Sequence, residues 1–556
     1  MSGLVVSLFC LPGCGSSSPS SPTQAQLKAT CSAIVGTRTG DVTVTSTTWF
    51  DESATTPAFC KVNGTRAPYL DIEVDVPDGW SGRLWQQGGG GLDGTIRSAI
   101  TLDSTGALTD LNIAVKTGRS VYAGSNGGNR ASVKAEAAPL VWTDGTLAGA
   151  ASAEDYAYVA LNTTREFAKA VTKSFYGKLP DRTYFNGCSN GGRNAYIAAE
   201  RWPREYDGIV TGCMGMDLVG QTAEWMHFGS RTETPAMPSP VQWAAVSLAA
   251  VTACDALDGV TDGIIANQSA CTFDASTLSC GLPGAGANCL TPSQVQTVKE
   301  LTSDLKFADG TTVYSGYNWA DWGSSVAGFG QLGSAYAMLA TGDSAWLGLS
   351  KQQTFDLNRD YLPFQFGLYM IGAAPDKNKV AAFVASGRKL ISWHAGSDNL
   401  TSPNDHIRNY TTMTNSAKGL GLTNPSNNTR FFIVPGASHG LGSLLTEVNW
   451  FDAITRWVET NTAPEQLMYN FTDAKTKAAR TLPLCQPPQY PRYKGAGDVN
   501  SAESYTCSSD SDTYLSCEGK FSGMTIPASA IGLPSSGAVV TEAVMVKATN
   551  AAGQTE

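Results

Sequence analysis

The segment Arg182-Thr-Tyr-Phe-Asn-Gly-Cys-Ser189-Asn-Gly-Gly-Arg193 constrains the fold most, because a strand, a turn and a helix start follow one another without a break. Gly187 and Gly191 flank Ser189 as Gly-x-Ser-x-Gly. A sharp strand-to-helix turn of this kind lifts a serine hydroxyl above the sheet, and only small flanking residues let the backbone pass that closely. The pentapeptide alone would also fit a serine in a glycine-rich loop. Its setting favours the nucleophile elbow: Tyr184 and Phe185 are strand formers leading in, and Asn194-Ala-Tyr-Ile-Ala-Ala-Glu200 is helix-compatible and leads out.

The rest of the chain supplies a sheet for that elbow. Residues 41–50 and 69–76 alternate polar and apolar side chains, as half-buried strands do. Residues 82–94 predict a strand running into Gly88-Gly-Gly-Gly91, whose bare amides can approach a developing negative charge where side chains would obstruct; a flexible loop is the alternative. Residues 111–116, 119–124 and 206–212 look like further sheet material, and 152–176 carries a helical pattern. Strands alternating with helices imply a mainly parallel sheet covered on both faces. From about 214 to 385 the pattern is irregular and rich in aromatics, among them Trp319, Trp322, Trp346, Tyr361, Phe364, Phe366 and Tyr369. This stretch is expected to be an insertion capping the sheet, with most of its aromatics in its own core and some lining a substrate pocket. Regular strands return at 388–398 and 430–442, followed by a covering helix at 450–460. The expected organisation is therefore a core in two parts, 28–213 and 386–510, an insertion at 214–385, and a tail at 511–556.

A serine nucleophile needs a base within hydrogen-bond reach and a carboxylate to orient that base. The chain has four histidines: His227, His394, His406 and His439. In α/β-hydrolase order the acid follows the serine and the base follows the acid. His227 precedes any acidic strand-end loop, His394 precedes the best acid, Asp398, and His406 has no strand ahead of it. His439 follows a strand and lies among small residues, which makes it the expected base, with Asp398 as its orienting carboxylate. A second constellation, Cys254-Asp255-Ala-Leu-Asp258-Gly-Val260-Thr-Asp262-Gly-Ile264, sets three carboxylates within eight positions. Oxygen donors at that density suit a hard cation such as Ca²⁺, with the Val260 and Ile264 carbonyls completing the shell. The spacing is not that of an EF-hand, so an ordinary solvated turn is the alternative.

Composition narrows the setting. A 556-residue chain, 42% hydrophobic, can fill a large core, and a net charge of -10 without Lys/Arg clusters argues against a nucleic-acid partner. Thirteen cysteines fit an oxidising compartment better than the cytosol. Residues 4–11 form an apolar run too short to span a bilayer, and Leu11-Pro-Gly-Cys14 followed by a Ser/Pro-rich tether resembles a bacterial lipobox. The expectation for 1–27 is a signal segment and tether with a lipid anchor on Cys14; Pro12, and the lack of any Lys or Arg before Lys28, keep ordinary secretion open.

Together, Gly-Cys-Ser189-Asn-Gly-Gly-Arg193, the Cys254 to Ile264 block, Gly-Ser-Asp398, Val-Pro-Gly-x-x-His439 and Arg492-Tyr-Lys-Gly-x-Gly-Asp498 resemble the tannase and feruloyl esterase family, from about Cys31 to Cys507. The resemblance implies an α/β-hydrolase fold with a large inserted lid domain and a serine esterase acting on small esters of aromatic acids, feruloyl or galloyl. It also implies a structural Ca²⁺ at Asp255, Asp258, Val260, Asp262 and Ile264, an oxyanion hole from the amides of Gly91 and Asn190, and the disulfides Cys31 to Cys60, Cys254 to Cys271, Cys280 to Cys289 and Cys485 to Cys507. Many members carry a cysteine after the catalytic histidine, bonded to the one before the serine; here that position is Gly440, so Cys188 lacks its usual partner. Cys213 ends the next strand, at a spacing a disulfide can bridge if the two strands are neighbours. The alternative is two buried free thiols. The tail looks like the opening of another unit in a truncated tandem, leaving Cys517 unpaired. Two rival functions are a hydrolase of mono(2-hydroxyethyl) terephthalate type and a catalytically silent surface-binding lipoprotein that reuses the fold.

Overall fold

The computed structural model describes residues 21–130, 142, 144–323 and 325–509, together with two short strands at 525–526 and 538–539. The expectations for Cys14 and the signal segment, for Cys517 and for most of the tail lie outside the described residues. Residues 1–507 form one compact unit and 508–556 a second, within which Thr525–Ile526 pairs antiparallel with Ala538–Val539.

The main unit is built on one ten-stranded sheet: β1 (Arg38–Thr39), β2 (Val42–Phe50), β3 (Phe59–Arg66), β4 (Leu70–Pro77), β5 (Arg83–Gln87), β6 (Val121–Ser125), β7 (Arg182–Cys188), β8 (Gly208–Gly212), β9 (Lys389–Ala395) and β10 (Thr429–Val434). Their spatial order is β1-β2-β3-β4-β6-β5-β7-β8-β9-β10. β1 to β4 form an antiparallel meander, β4 meets β6 antiparallel, and every pair from β6 to β10 is parallel. Parallel strands are covered on both faces, and all five residues of β8 are buried. On one face Trp85, Tyr184, Val210, Trp393 and Phe432 pack under the Trp450–Thr460 helix. The other face carries the Ala160–Tyr176, Asn190–Arg201 and Lys377–Ala385 helices.

Three expectations are corrected. Residues 111–116 are not a strand: Leu108–Leu111 closes a small hairpin, and Asn112 then caps a short helix, Ile113–Lys116. The helical stretch expected before the elbow, by contrast, is present, with a π-turn at Asp155–Val159 within it. The insertion is not irregular but largely helical, with Leu218–Gly229, Pro240–Cys254, Pro292–Leu301, Val326–Thr341 and Leu357–Met370 as its main elements. Its helices pack on one another: eleven of the twelve residues of Leu218–Gly229 are buried. A helix enclosed all round shows no amphipathic period. The insertion also ends earlier than 385, since Val380, Ala381, Phe383 and Val384 belong to the core cluster beneath the sheet. Trp319, Trp322, Trp346 and Phe364 are buried in the insertion, whereas Phe366 and Tyr369 are exposed.

Among the described residues five disulfides are present: Cys31 to Cys60, Cys188 to Cys213, Cys254 to Cys271, Cys280 to Cys289 and Cys485 to Cys507. Cys188 stands opposite Gly212 in the β7–β8 register, and its Cα lies 5.1 Å from that of Cys213. A cross-link between cysteines 25 positions apart adds roughly 3 kcal/mol in the chain-entropy model. Mass spectrometry of the unreduced digest is expected to yield one linked peptide pair containing Cys188 and Cys213. Alkylation of both under denaturing, non-reducing conditions would reject the bridge.

Candidate active site

Ser189 sits between β7 and the Asn190–Arg201 helix with φ 61° and ψ -127°. A non-glycine residue in such a region costs on the order of 1–3 kcal/mol and persists only where its surroundings impose it. Here its amide donates to the Gly212 carbonyl at 3.0 Å, and its carbonyl accepts from Gly192 and Arg193 at 2.8 and 3.1 Å. The flanking glycines answer to close backbone packing: a Cβ on Gly187 would lie 2.2 Å from the Gly191 carbonyl oxygen, and one on Gly191 would lie 2.7 Å from that of Gly89.

Ser189 Oγ lies 2.9 Å from His439 Nε2, and His439 Nδ1 lies 2.9 and 3.0 Å from the two carboxylate oxygens of Asp398. Three residues from three strand ends thus share one hydrogen-bonded chain. Facing a carboxylate, Nδ1 carries the imidazole proton, which leaves Nε2 to accept from the serine hydroxyl. Asp398 is fully buried, and its Oδ1 accepts from the Leu400 and Thr401 amides, both at 2.9 Å. Burial alone would push this carboxyl up; the adjoining His439 and His394 imidazoles outweigh it and hold the group well below the usual carboxylate range. Gly440 has φ 83°, in the left-handed region that favours glycine. Of the other histidines, His227 pairs with Glu300 at 3.1 Å, away from this chain, while His394 lies behind Asp398, buried against His406.

The glycine loop after β5 lies backbone to backbone on the elbow, since a Cβ on Gly88 would fall 2.7 Å from Gly191 Cα. The loop of Gly91 and the helix start at Asn190 also meet at the Tyr156 hydroxyl, which lies 3.1 Å from the Gly91 carbonyl and 3.2 Å from Asn190 Oδ1. Asp93 fastens the loop: its Oδ1 accepts from the Gly90 amide at 3.0 Å and from Asn190 Nδ2 at 2.7 Å. Burial raises its carboxyl to about 6 against the opposing pull of Asn190, Arg193 and the Gly90 amide. Asn190 Oδ1 accepts from Arg193 Nε at 2.7 Å and lies 3.2 Å from the Tyr156 hydroxyl. Arg193 is fully buried and donates to the carbonyls of Tyr156, Ala157 and Ala373. The first two carbonyls lie in the π-turn, a helix defect that often marks a functional site. Sequence reading missed Asp93, Tyr156 and Arg193 as parts of the site; the available signals were an acid two residues past a glycine run and a cation four residues past the serine.

An aromatic wall runs from this side to the acid. Trp142 packs on Tyr156 with ring centroids 4.5 Å apart, the Tyr156 and Tyr336 hydroxyls lie 2.7 Å apart, and Trp225 stacks on Tyr336. Trp225 Nε1 then donates to the Leu400 carbonyl at 3.0 Å, beside Asp398. Tyr336 and Trp225 come from the insertion, so the cap supplies half of the wall. The large cavity of about 620 Å³ elsewhere, lined by residues including Phe273, Trp319, Ile433 and Tyr490, contains none of Ser189, Asp398 or His439.

The acidic loop places Asp255 and Asp258 in buried positions. Asp255 accepts from the Asp262 and Gly263 amides, Asp258 from the Val260 amide, and Asp262 from the Ile264 amide and the Arg480 guanidinium. Burial, with the charges of Asp262 and Asp255, pushes the Asp258 carboxyl up to about 7. Among the described residues no three His, Cys, Asp or Glu side chains converge as a metal cluster. The donor chemistry nevertheless fits a hard cation, because the loop offers oxygen donors that include two buried carboxylates, Asp255 and Asp258, whose negative charges repel one another.

Residues 53–352 and 370–508 match the family model "Tannase and feruloyl esterase". The chain is similar to a probable feruloyl esterase of Arthroderma benhamiae, at 30% identity over 82% of this chain and 87% of the relative. It is also similar to the mono(2-hydroxyethyl) terephthalate hydrolase of Piscinibacter sakaiensis, at 29% identity over 82% and 85%. Its fold matches the crystal structure of feruloyl esterase B from Aspergillus oryzae, with a TM-score of 0.71 at 22% identity over 87% of this chain and all of that one. The chain belongs to the tannase and feruloyl esterase family.

Proposed function

We infer that this protein is a serine carboxylesterase that hydrolyses esters of aromatic acids. The observation that carries the reading is the hydrogen-bonded chain from Ser189 through His439 to Asp398 on a strand-to-helix elbow, in a chain of this family. Ser189 Oγ attacks the ester carbonyl carbon as His439 Nε2 takes the hydroxyl proton. Negative charge then develops on the former carbonyl oxygen, where the amides of Gly91 and Asn190 receive it. Donors already aimed at the charge need no reorganisation, and each is worth roughly 10²- to 10³-fold in kcat. Collapse breaks the ester C–O bond, and His439 returns the proton to the departing alcohol. Water, deprotonated by His439, attacks the acyl carbonyl carbon, the bond to Ser189 Oγ breaks, and His439 returns the proton to that oxygen as the acid leaves. Asp398 remains ionised throughout and stabilises the imidazolium. The wall of Trp142, Tyr156, Tyr336 and Trp225 supports an aromatic acyl group. A second reading, hydrolysis of a terephthalate monoester, is favoured by the 29% identity to an enzyme of that name.

Calcium is part of the same reading. Asp255, Asp258 and Asp262, with the carbonyls of Val260 and Ile264, would hold it, and its role would be to neutralise buried carboxylates and rigidify the loop closed by Cys254 and Cys271. The disulfides fit an oxidising compartment, and the apolar run at 4–11 ahead of Cys14 supports export with a lipid anchor.

Ser189→Ala and His439→Ala are each expected to lower kcat on a 4-nitrophenyl ester by roughly 10³-fold or more without lowering Tm. Activity retained in His439→Ala but lost in His406→Ala would identify a different base. A panel of methyl gallate, methyl ferulate and mono(2-hydroxyethyl) terephthalate separates the substrate classes. Excess chelator is expected to lower Tm, because an ion bound only to the native state stabilises it by mass action. An unchanged melting curve, with no calcium by elemental analysis, would remove the ion.

A further inference from the structure

Behind Asp398 lies a second imidazole that the reaction as described does not use. His394, near the end of β9, is fully buried, and its Nε2 faces three oxygens: Asp398 Oδ2 at 3.3 Å, the Thr401 carbonyl at 3.3 Å and Thr401 Oγ1 at 3.2 Å. Carboxylate and carbonyl oxygens only accept, and the Thr401 hydroxyl donates to the Cys213 carbonyl at 2.7 Å. His394 Nε2 must therefore carry a proton. Its Nδ1 lies 2.8 Å from Nδ1 of His406, whose Nε2 lies 2.5 Å from the Tyr196 hydroxyl, itself 2.9 Å from Ser392 Oγ.

We propose that His394 is a positioning residue for the hydrolysis, a second N–H donor on Asp398 whose tautomer is set by the buried His406 and Tyr196 behind it. This rests on the reading of Ser189, His439 and Asp398 as the triad. The proton count has one neutral solution: Ser392 donates to Tyr196, Tyr196 to His406 Nε2 and His406 Nδ1 to His394 Nδ1, which leaves the His394 proton on Nε2, shared among Asp398 Oδ2 and the two Thr401 oxygens. Asp398 then has an imidazole N–H on each side, His439 in front and His394 behind. Burial, together with the neighbouring His394, holds His406 well below the ordinary histidine range and so keeps it neutral. Tyr410 packs on Phe431, which packs on His406, the buried Asp405 precedes His406 in the same helix, and from the insertion the Tyr317 hydroxyl donates to the Leu400 carbonyl at 3.0 Å. A hydrogen bond to the ionised carboxylate favours that form. His394 thereby lowers the basicity of Asp398 and weakens the hydrogen bond that Asp398 accepts from His439 Nδ1.

The sign of the effect follows. Without the His394 donor, Asp398 becomes more basic and binds the imidazolium formed in the reaction more strongly, so the acid limb of kcat/KM moves upward. His394→Asn removes the donor at the Nε2 position, whereas the longer amide of His394→Gln reaches it. His394→Asn is expected to lower kcat about 10-fold or more, with KM little changed, and to raise the acid limb by about half a pH unit. His394→Gln is expected to stay within about threefold of wild type with the limb unmoved. Equal losses in both variants, or an unmoved limb in His394→Asn, would reduce His394 to a packing role and overturn the proposal. ¹⁵N NMR of the wild-type imidazoles needs no variant, and the chain has four histidines to assign. Protonation at Nε2 of His394 and at Nδ1 of His406 is expected; a bare His394 Nε2 overturns the proposal. These tautomers are read independently of turnover, so activity surviving in Ser189→Ala would sink the triad without deciding them.

Discussion

The backbone at Ser189, with φ 61° and ψ -127°, occupies a conformation that the residue would leave if its neighbours allowed. Its amide is drawn to β8 through Gly212, and its carbonyl begins the following helix. The glycines on both sides let Gly88 and Gly89 lie against the turn without intervening side chains. The same closeness sets the glycine loop against the helix N-terminus, so one packing contact both confines the nucleophile turn and joins the loop of Gly91 to the helix that starts at Asn190. The Cys188 to Cys213 bridge ties the ends of β7 and β8 beside this turn, where many family members tie the serine strand to the histidine loop instead. Without that tether the His439 loop turns through Gly440 in a left-handed conformation.

Charge is handled in the same local way. Arg193 is buried without a carboxylate in direct contact among its hydrogen bonds; three carbonyls and two asparagine oxygens take its five donors. Two of those carbonyls come from a π-turn, in which the helical ladder is displaced and backbone acceptors become available. Asp398 is buried too, and its charge is met by two amides and two imidazoles. In both cases the low surrounding dielectric strengthens each hydrogen bond and makes each missing one costly, which fixes the geometry of groups whose distances matter for the chemistry.

Legibility in the sequence followed the range over which each feature is determined. The elbow, the strands on either side of it and the order serine, acid, histidine were readable, because glycine placement and period-two alternation are local. The insertion was not readable as helix, since helices such as Leu218–Gly229 are enclosed on all sides and their side chains carry no stripe. Residues 377–385 were assigned to the insertion although they pack under the sheet, a distinction that only tertiary contact can make. Asp93 could be seen as an acid near glycines, but its partner Asn190 lies 97 positions away. Chain order excludes His394 as the base and the lack of a strand ahead of it excludes His406; that they face each other behind Asp398 depends on β9 and the Pro403–Gly419 helix meeting in space.

The aromatic wall connects these pieces. Tyr156 touches both the Gly91 carbonyl and Asn190 Oδ1, and its hydroxyl also meets Tyr336 of the insertion. Trp225, on the next helix of the insertion, stacks on Tyr336 and holds the carbonyl of Leu400, whose amide binds Asp398. A displacement of the Val326–Thr341 helix would therefore reach the oxyanion side through Tyr156 and the acid side through Trp225. Packed interiors resist such displacement because they have little free volume. The surface that would select an aromatic acyl group and the groups that would act on its carbonyl are thus parts of one packed unit, so changes in the insertion that alter selectivity will also alter the turnover number.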